Sequence, residues 1–489
     1  MRASLFKNLR LQTYIQVINS IIPLITTPYI SRVLGADNVG IFSSYHAMAS
    51  FFTLFAVFGM GSYGTRCIAA ERNETKRKAL FMELYSLQLI TCCISAVGYL
   101  GYCLFLADNN TMAFLQFITL GGCFLDISWF YFGIEDFKFA VVTNTIFRIA
   151  SVFCLLFWVN TCNDVYIYTI IMLGSAFMSQ LVLWIGLIRK GYIKIRGIKK
   201  ERIKEHIIPN FMLFVPMIAM TVCNSTDKAM LGALSSYDQA GFYANTDRII
   251  NVPYSLFLGI GTVFLPRMTS LSNENKSNAK SYFFDTLSGI IMLGVAISFG
   301  IISVARRFIP FFLGPGYEPC VLLVEVFSGV VIIKSISTAV RMHYLVPFKE
   351  EKIYIIATAV GAVLNLFLNF ILIPQLGALG AVITTLISEF IVLVIQIIRV
   401  FRIADLKNSI IDLIVYIGIG LVMAFILRFL NIKAFNSDIE MIIDIFVGTI
   451  VYCLLTLIYW RLSKNRLYIL YIKPRVDLLI SKVKGRQNK

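Results

Sequence analysis

Charged residues are scarce in this chain. They make up 15% of its 489 residues, while hydrophobic residues make up 58%. Soluble globular domains carry charges at nearer a quarter of their positions. The scarcity therefore excludes a set of soluble domains and indicates an all-α polytopic membrane protein.

Sites for metal or glycan chemistry are also missing. The ten cysteines fall mostly inside apolar runs and show no metal-ligand spacing, so they are interpreted as small apolar residues. The outward turns are short, and none carries the cluster of Asp, Glu or His that glycan chemistry needs. The sequence thus predicts no enzyme, no metal and no cofactor, although a coupling Na⁺ or H⁺ remains open. A membrane glycan polymerase or glycosyltransferase is the alternative from another class.

What the chain does have is a series of apolar runs of about twenty residues, the length of a helix that spans a bilayer. Because backbone groups in lipid must be satisfied within the segment, each run predicts a transmembrane helix. Fourteen are predicted, over residues 10–33, 40–63, 80–106, 112–133, 139–160, 165–189, 208–232, 239–266, 280–304, 320–346, 353–374, 378–400, 409–430 and 440–462.

The basic residues predict the topology. Of the 44 Lys and Arg, 34 lie in the amino terminus, the turns on one side and the carboxyl tail, five lie on the other side and five lie inside helices. This asymmetry places both termini in the cytoplasm, and it accounts for the net charge of +17 without nucleic acid. The amino terminus runs into the first helix without a small-residue cleavage site, which predicts an uncleaved first span.

An internal repeat of about 200 residues is predicted, as in transporters built from two lobes. RVLGA at 32–36 followed by GIF at 40–42 matches KAMLGA at 228–233 followed by GFY at 241–243. The predicted parts are a lobe of six helices (1–190), a basic cytoplasmic linker (191–207), a second lobe of six helices (208–402), two further helices (403–462) and a basic amphipathic cytoplasmic tail (463–489).

Charges inside the helices are the candidate functional residues. At about 1.5 Å per residue, Arg248 lies about 15 Å deep in a hydrocarbon layer about 30 Å thick. A charge at that depth must face protein or water, so it is a functional-site hypothesis, with a buried ion pair that only fixes packing as the alternative. The cations within helices are Arg148, Lys228, Arg248, Lys334 and Arg341, and the acids are Asp126, Asp227, Asp247, Glu325 and Glu389.

Two of these sets carry a specific expectation. Asp126 and Arg148 lie on adjacent predicted helices and could pair. Lys334 and Arg341 are seven residues apart and share a helix face, which favours a polar cavity over lipid. Three prolines within apolar runs are predicted hinges because proline removes a backbone donor and bends a helix; they are Pro23, Pro28 and Pro216.

Three motifs in order resemble the bacterial polysaccharide flippases. They are PYISRVLG at 28–35 with GIF, DKAMLG at 227–232 with GFY, and IPQLGALGA at 373–381. The resemblance spans essentially the whole chain, and it implies the fold of the multidrug and toxin extrusion superfamily, with two pseudo-symmetric six-helix lobes in a V and two added helices.

The resemblance also implies a substrate and a location. The substrate is an undecaprenyl-pyrophosphate-linked oligosaccharide, which moves from the inner to the outer leaflet of a bacterial plasma membrane for O-antigen or capsule synthesis. Implied partners are membrane lipids, a polysaccharide polymerase and a chain-length regulator. Arg can hold phosphate oxygens in a bidentate fork, so the five cations are pyrophosphate candidates and the five acids are coupling or charge-pair candidates. A lipid II flippase and a cation-coupled multidrug exporter remain as alternatives.

Overall fold

The computed structural model describes residues 2–192, 200–401, 406–430 and 437–463, and these ranges contain helices and no strand. The prediction of an all-helical membrane protein is therefore confirmed. Residues 193–199 of the predicted linker and 464–489 of the predicted tail lie outside the described ranges.

The described ranges hold seventeen α-helices, numbered α1 to α17 in chain order. They are Arg2–Val57, Met60–Ala70, Glu74–Phe105, Asn110–Leu115, Phe117–Leu125, Ser128–Gly133, Phe137–Trp158, Val165–Arg189, Lys200–Leu234, Tyr237–Glu274, Lys276–Leu313, Pro319–Phe327, Gly329–Val340, Glu351–Leu376, Ala378–Phe401, Lys407–Leu430 and Ser437–Leu462. A 3₁₀ turn over Cys162–Asp164 precedes α8, and a π-helical segment over Arg341–Leu345 follows α13.

Twelve helical segments of the described chain are long and apolar enough to cross a membrane. One of them, Ile22–Ala70, covers the second half of the first predicted span and all of the second. The predicted span 208–232 lies within α9, which is not among the twelve. The count of fourteen and the two-lobe layout therefore stay predictions.

The first long helix is interrupted by glycine rather than by proline. Pro23 and Pro28 lie inside α1, but the residue with non-helical dihedral angles is Gly35, at φ 76° and ψ 172°. A second break separates α1 from α2, where Phe58 and Gly59 have φ values of 46° and 79°. Pro216 lies within α9. The role of the three prolines as hinges stays a prediction.

The predicted helix 112–133 is divided into α4, α5 and α6. At the second division, the Asp126 carboxylate accepts a hydrogen bond from the backbone N–H of Ser128 at 3.0 Å. The buried Gln88 amide donates to the carbonyl oxygens of Cys123 and Asp126, and its oxygen accepts from the Trp129 indole at 2.9 Å. Asp126 thus caps a broken helix, because its carboxylate supplies an acceptor for an N–H group that has no helical partner.

The described chain forms two compact units. Unit 1 comprises Met1–Ile249, Leu313–Leu323 and Thr358–Ser388, and unit 2 comprises Ile250–Phe312, Val324–Ala357 and Glu389–Lys489. In unit 2 the last two helices are tied to α11 through polar side chains. The buried Asp412 carboxylate of α16 accepts from Ser288 of α11 and from Tyr459 of α17, both at 2.6 Å.

Within unit 1, the two glycines of the repeated motif lie at the same crossing. A Cβ atom built on Gly40 would lie 1.6 Å from the carbonyl oxygen of Tyr237, and one built on Gly241 would lie 1.9 Å from that of Ala36. Each glycine of one copy therefore packs against the backbone of the other copy. Only residues without a side chain allow helices to approach this closely.

We expect Gly40→Ala and Gly241→Ala each to destabilise the protein by about 1–3 kcal/mol or more, because the added methyl group must displace a backbone carbonyl. Thermal unfolding of the purified proteins in detergent measures the effect. The control is Gly101→Ala on α3, where a Cβ meets nothing within 4 Å. An unchanged melting temperature for both crossing variants would contradict the close approach.

Candidate functional site

Asp227 lies at the end of α9 in the interior of unit 1, and only 2% of its surface is exposed. Its carboxylate accepts hydrogen bonds from the Tyr243 hydroxyl, from Thr385 Oγ1 at 2.8 Å and from Asn369 Nδ2 at 2.6 Å. These donors come from α10, α15 and α14. Four helices thus meet at one buried carboxylate.

A further layer of polar side chains fixes these donors. Asn369 Nδ2 also contacts the Asn365 amide oxygen at 3.2 Å, and the Asn369 amide oxygen accepts from Thr384 Oγ1 at 2.5 Å. Asn365 and Asn369 are one helical turn apart on α14, so they present amide groups to the same side. The arrangement is rich in hydrogen bonds and in oxygen atoms.

All the donors to Asp227 are neutral. No Lys, Arg or His nitrogen of the described chain lies within ion-pair distance of its carboxylate. A buried carboxylate without a cationic partner is costly unless it takes up a proton or a cation. Among the described residues no group of three or more His, Cys, Asp or Glu side chains is arranged to hold a metal ion, so a cation here would be held mainly by neutral oxygen ligands.

The neighbouring lysine is paired elsewhere. Lys228 Nζ lies 2.6 Å from Asp247 Oδ2, and both side chains are mostly buried. This pair joins α9 to α10 and neutralises Asp247. Lys228 therefore satisfies Asp247 and leaves Asp227 to its neutral donors.

Arg248 follows Asp247 on α10 and is half-buried. Its guanidinium makes no hydrogen bond or ion pair with any residue that the structure describes. Arg248 is thus a half-buried cation with its donors available to an anion.

Sequence reasoning missed the neutral residues around Asp227. The signal available for those was the presence of Asn365, Asn369 and Thr385 within otherwise apolar runs, since a polar group in a membrane helix needs a partner.

In unit 2, the candidates Lys334 and Glu389 form an ion pair at 3.3 Å. Lys334 also lies 5.4 Å from the ring centroid of Tyr254, whose hydroxyl is 3.1 Å from Thr338 Oγ1. The pair connects α13 with α15, and the tyrosine face adds a cation–π contact. Lys334 is therefore compensated within its own unit.

The other charged candidates of unit 2 also have partners. Arg341 donates to the Tyr354 hydroxyl at 3.0 Å, and its guanidinium lies 4.8 Å from the Tyr354 ring centroid. Glu325 pairs with the largely exposed Arg306 at 3.3 Å. Lys334 and Arg341 thus contact different helices, although they are seven residues apart.

Asp126 and Arg148 have different surroundings in unit 1. The Asp126 carboxylate caps the start of α6, as described above, while Arg148 lies on the exposed side of α7. An exposed position on a membrane helix makes Arg148 a weaker candidate for a substrate contact than Arg248. The structure thus joins Lys228 to Asp247, and the pairing of Asp126 with Arg148 stays a prediction.

The charges at the unit 1 site indicate which ions it can bind. Lys228 and Asp247 cancel, which leaves one negative charge at Asp227 and one positive charge at Arg248. The first is suited to bind a proton or small cation, and the second to bind an anionic oxygen, as guanidinium groups bind phosphate.

The sequence and the fold are similar to those of known proteins. A family model described as polysaccharide biosynthesis protein matches residues 5–272, which are 268 of the 489 residues. A protein of Escherichia coli strain K12 named as an O-antigen transporter is 22% identical over 395 residues, covering 80% of this chain and 95% of that protein.

Two solved structures share the fold. The lipid II flippase MurJ in an inward closed conformation has a TM-score of 0.74 at 16% identity, covering 93% of this chain and 100% of that chain. An inward-facing multidrug resistance transporter of the MATE family has a TM-score of 0.54 at 12% identity, covering 84% and 99%. At these identities the likeness shows the architecture.

Proposed function

Because the chain belongs to the polysaccharide biosynthesis protein family, we propose that it flips an undecaprenyl-pyrophosphate-linked oligosaccharide from the inner to the outer leaflet by alternating access. It is a multi-pass membrane translocator of the MATE-like superfamily and not an enzyme. The relative from Escherichia coli is named as an O-antigen transporter, which supports a glycan cargo.

The observation that carries this proposal is Arg248. A half-buried guanidinium without a protein partner is costly unless an anion compensates it, and the pyrophosphate of a lipid-linked sugar is such an anion. An organic cation would be repelled by this group, so the site disfavours the multidrug exporter. Lys228, Lys334 and Arg341 already have partners, and this makes them supporting groups.

Asp227 supplies the proposed coupling site. A cation at Asp227 and an anion at Arg248 would together leave the interior of unit 1 uncharged, since Lys228 and Asp247 cancel. Binding one charge then lowers the cost of binding the other. This reciprocity is the energetic basis of coupling. It explains why Asp227 and Arg248 each lack an ionic partner among the described residues.

The setting proposed for this activity is a bacterial plasma membrane with both termini cytoplasmic, as the basic residues predict. A polymerase and a chain-length regulator are proposed to act on the flipped product. In a cysteine-free background, an impermeant thiol reagent added outside the cell should not label a cysteine placed at Lys200, and labelling there would refute this topology.

Reconstitution tests the function directly. Proteoliposomes that hold the purified protein and an undecaprenyl-pyrophosphate-linked oligosaccharide should equilibrate the sugar between leaflets, measured by its accessibility to an added sugar-binding protein. Vesicles with lipid II and vesicles with an organic cation such as ethidium serve as comparisons. Movement of lipid II or ethidium without movement of the oligosaccharide would replace the proposal with the corresponding alternative.

A further inference from the structure

The first half of α9 lies along unit 1 with a four-residue period. We call this half, residues 200–214, the strap. Four of its side chains, Arg202, His206, Asn210 and Phe214, are four residues apart and therefore share one helix face. That face contacts α3, α2 and the end of α1 in turn. The strap is thus attached to three helices that come much earlier in the chain.

A buried carboxylate holds the start of the strap. Glu83 of α3 is 4% exposed, and its two oxygens lie 3.4 Å from Arg202 Nη1 and 3.7 Å from His206 Nε2. The other ring nitrogen of His206 lies 2.8 Å from the Tyr63 hydroxyl of α2. Because a buried carboxylate without partners is costly, the contacts of Glu83 favour the attached position of the strap.

The next turn of the strap lies on the break between α1 and α2, and two features there oppose attachment. Phe58 has φ 46°, a left-handed conformation that bulky residues rarely adopt. Asn210 is 0% exposed, and neither polar atom of its side chain has a hydrogen-bond partner within the described chain. A Cβ atom built on Gly59 would lie 3.1 Å from the Asn210 carbonyl oxygen, so the break and the strap are in direct backbone contact. The strained residue and the unpaired amide both raise the free energy of the attached position.

Aromatic side chains hold the end of the strap. The ring centroid of Phe214 lies 4.8 Å from that of Phe58 and 5.6 Å from that of Phe55, and Phe214 is 2% exposed. Here α9 has entered the predicted span 208–232. A carboxylate at one end and an aromatic cluster at the other therefore hold in place a segment whose middle is unfavourable.

We propose that the strap detaches from α2 and α3 and reattaches in each transport cycle, while Phe214 stays in place. In the predicted topology the strap lies at the cytoplasmic ends of the helices, the side from which the proposed cargo enters. Detachment lets water reach the Asn210 amide, and reattachment restores the contacts of Glu83. Opposing contributions of this kind give two states that a cargo can shift by binding one of them more tightly. The inference rests on the proposed function for its cargo, but not for the two positions of the strap.

Distances between spin labels test the two positions. Arg66→Cys on α2 and Glu205→Cys on α9, both at exposed positions, carry the labels in full-length protein without native cysteines, placed in lipid nanodiscs. We expect one short and one long distance. Glu83→Gln should increase the fraction with the long distance several-fold, because a neutral amide loses both charged contacts. Asn210→Leu should decrease that fraction, because an apolar side chain of similar size removes the unpaired amide.

Two further variants control for effects on folding. Arg202→Gln changes a side chain that is 58% exposed, and it should shift the distances in the same direction as Glu83→Gln. Glu74→Gln is the matched control, because Glu74 is an exposed acid on the same helix and pairs with Lys78 at 3.2 Å. It should leave both populations unchanged. Melting temperatures in detergent show whether each variant is folded.

Cross-linking relates the strap to transport. A reducible bifunctional thiol reagent that joins Tyr63→Cys to His206→Cys should abolish flipping of the lipid-linked oligosaccharide in proteoliposomes, and reduction should restore it. The control joins Asp136→Cys to Lys190→Cys, at an ion pair of 2.6 Å elsewhere in unit 1. Cross-linking there should leave the flipping rate unchanged.

The outcomes distinguish the two proposals. A single distance that neither Glu83→Gln nor Asn210→Leu changes would overturn the movement of the strap, and so would full flipping by protein cross-linked between positions 63 and 206. Protein that shows both distances but does not flip the lipid-linked oligosaccharide before cross-linking would support the movement and overturn the proposed function.

Discussion

Arg248→Ala is expected to abolish flipping of the lipid-linked oligosaccharide while the protein still inserts in the membrane and accumulates normally. The guanidinium is half-buried and makes no hydrogen bond or ion pair within the described ranges. Removing it breaks no contact that holds the fold, so stability should change little. Removing it does take away a cation that an anionic ligand could reach, and a charged hydrogen bond to phosphate contributes roughly 1.5–3 kcal/mol.

Arg248→Lys should keep part of the activity, because the charge survives while the bidentate fork does not. Flipping in proteoliposomes and binding of undecaprenyl pyrophosphate measure the series, with an expected order of wild type, lysine, alanine. Loss of a charged hydrogen bond that contributes roughly 1.5–3 kcal/mol corresponds to an affinity loss of at least about tenfold in Arg248→Ala. A lysine variant no better than alanine would show that the fork, and not the charge, is required.

The matched control is Arg428→Ala, which removes the same side chain from an exposed position on α16. It should flip at the wild-type rate. Full flipping activity in a correctly inserted Arg248→Ala protein would refute the assignment of Arg248 as a substrate ligand and would leave it with a packing role only. Equal losses in both variants would point to a general effect of positive charge at the membrane.

The fold was predictable where one rule dominates. A chain with so few charges must place long apolar runs in lipid, and lipid permits only helices for such runs. The breaks within helices were not predictable from hydropathy. The division near Asp126 depends on Gln88 and Trp129, which come together only after α3 packs against the broken helix.

The candidate charged residues could be identified from their predicted depth in the membrane, but the residues with which they pair could not. Sequence places Asp227 beside Lys228 and Asp247 beside Arg248, which suggests two neighbouring pairs. In the structure Lys228 pairs with Asp247, across two helices. Adjacent residues on a helix point about 100° apart, so sequence neighbours do not face each other, and only packing decides which opposite charges meet.

The same limit explains why the residues that donate to Asp227 were missed. Neutral Asn and Thr side chains cost little in a membrane helix and occur for many structural reasons. Their meaning becomes visible only when Asn369 and Thr385, from different helices, both donate to one carboxylate. Contacts between residues so far apart in sequence produce no periodic pattern that sequence analysis could detect.

Asp227→Asn should remove the dependence of flipping on the coupling cation and reduce the rate strongly, because the buried carboxylate is the group that a cation or proton would neutralise. The substitution keeps the size and one acceptor oxygen, so Thr385 or Asn369 can still donate to it. The wild-type flipping rate should rise with either the sodium concentration or the proton concentration. The ion that raises the rate is the coupling ion. Asp227→Asn should respond to neither.

A buried carboxylate elsewhere provides the control. Asp412 in unit 2 is 8% exposed and also accepts from two hydroxyl groups. Asp412→Asn should lower the melting temperature by weakening the attachment of α16 and α17 to α11, yet leave the cation dependence of flipping intact. Unchanged cation dependence in Asp227→Asn, or an equal loss in Asp412→Asn, would refute Asp227 as the coupling site. If only Asp227→Asn loses the cation dependence of flipping, the coupling cation binds in unit 1, which also holds Arg248. There the bound cation and the bound anion each lower the free energy needed to bury the other.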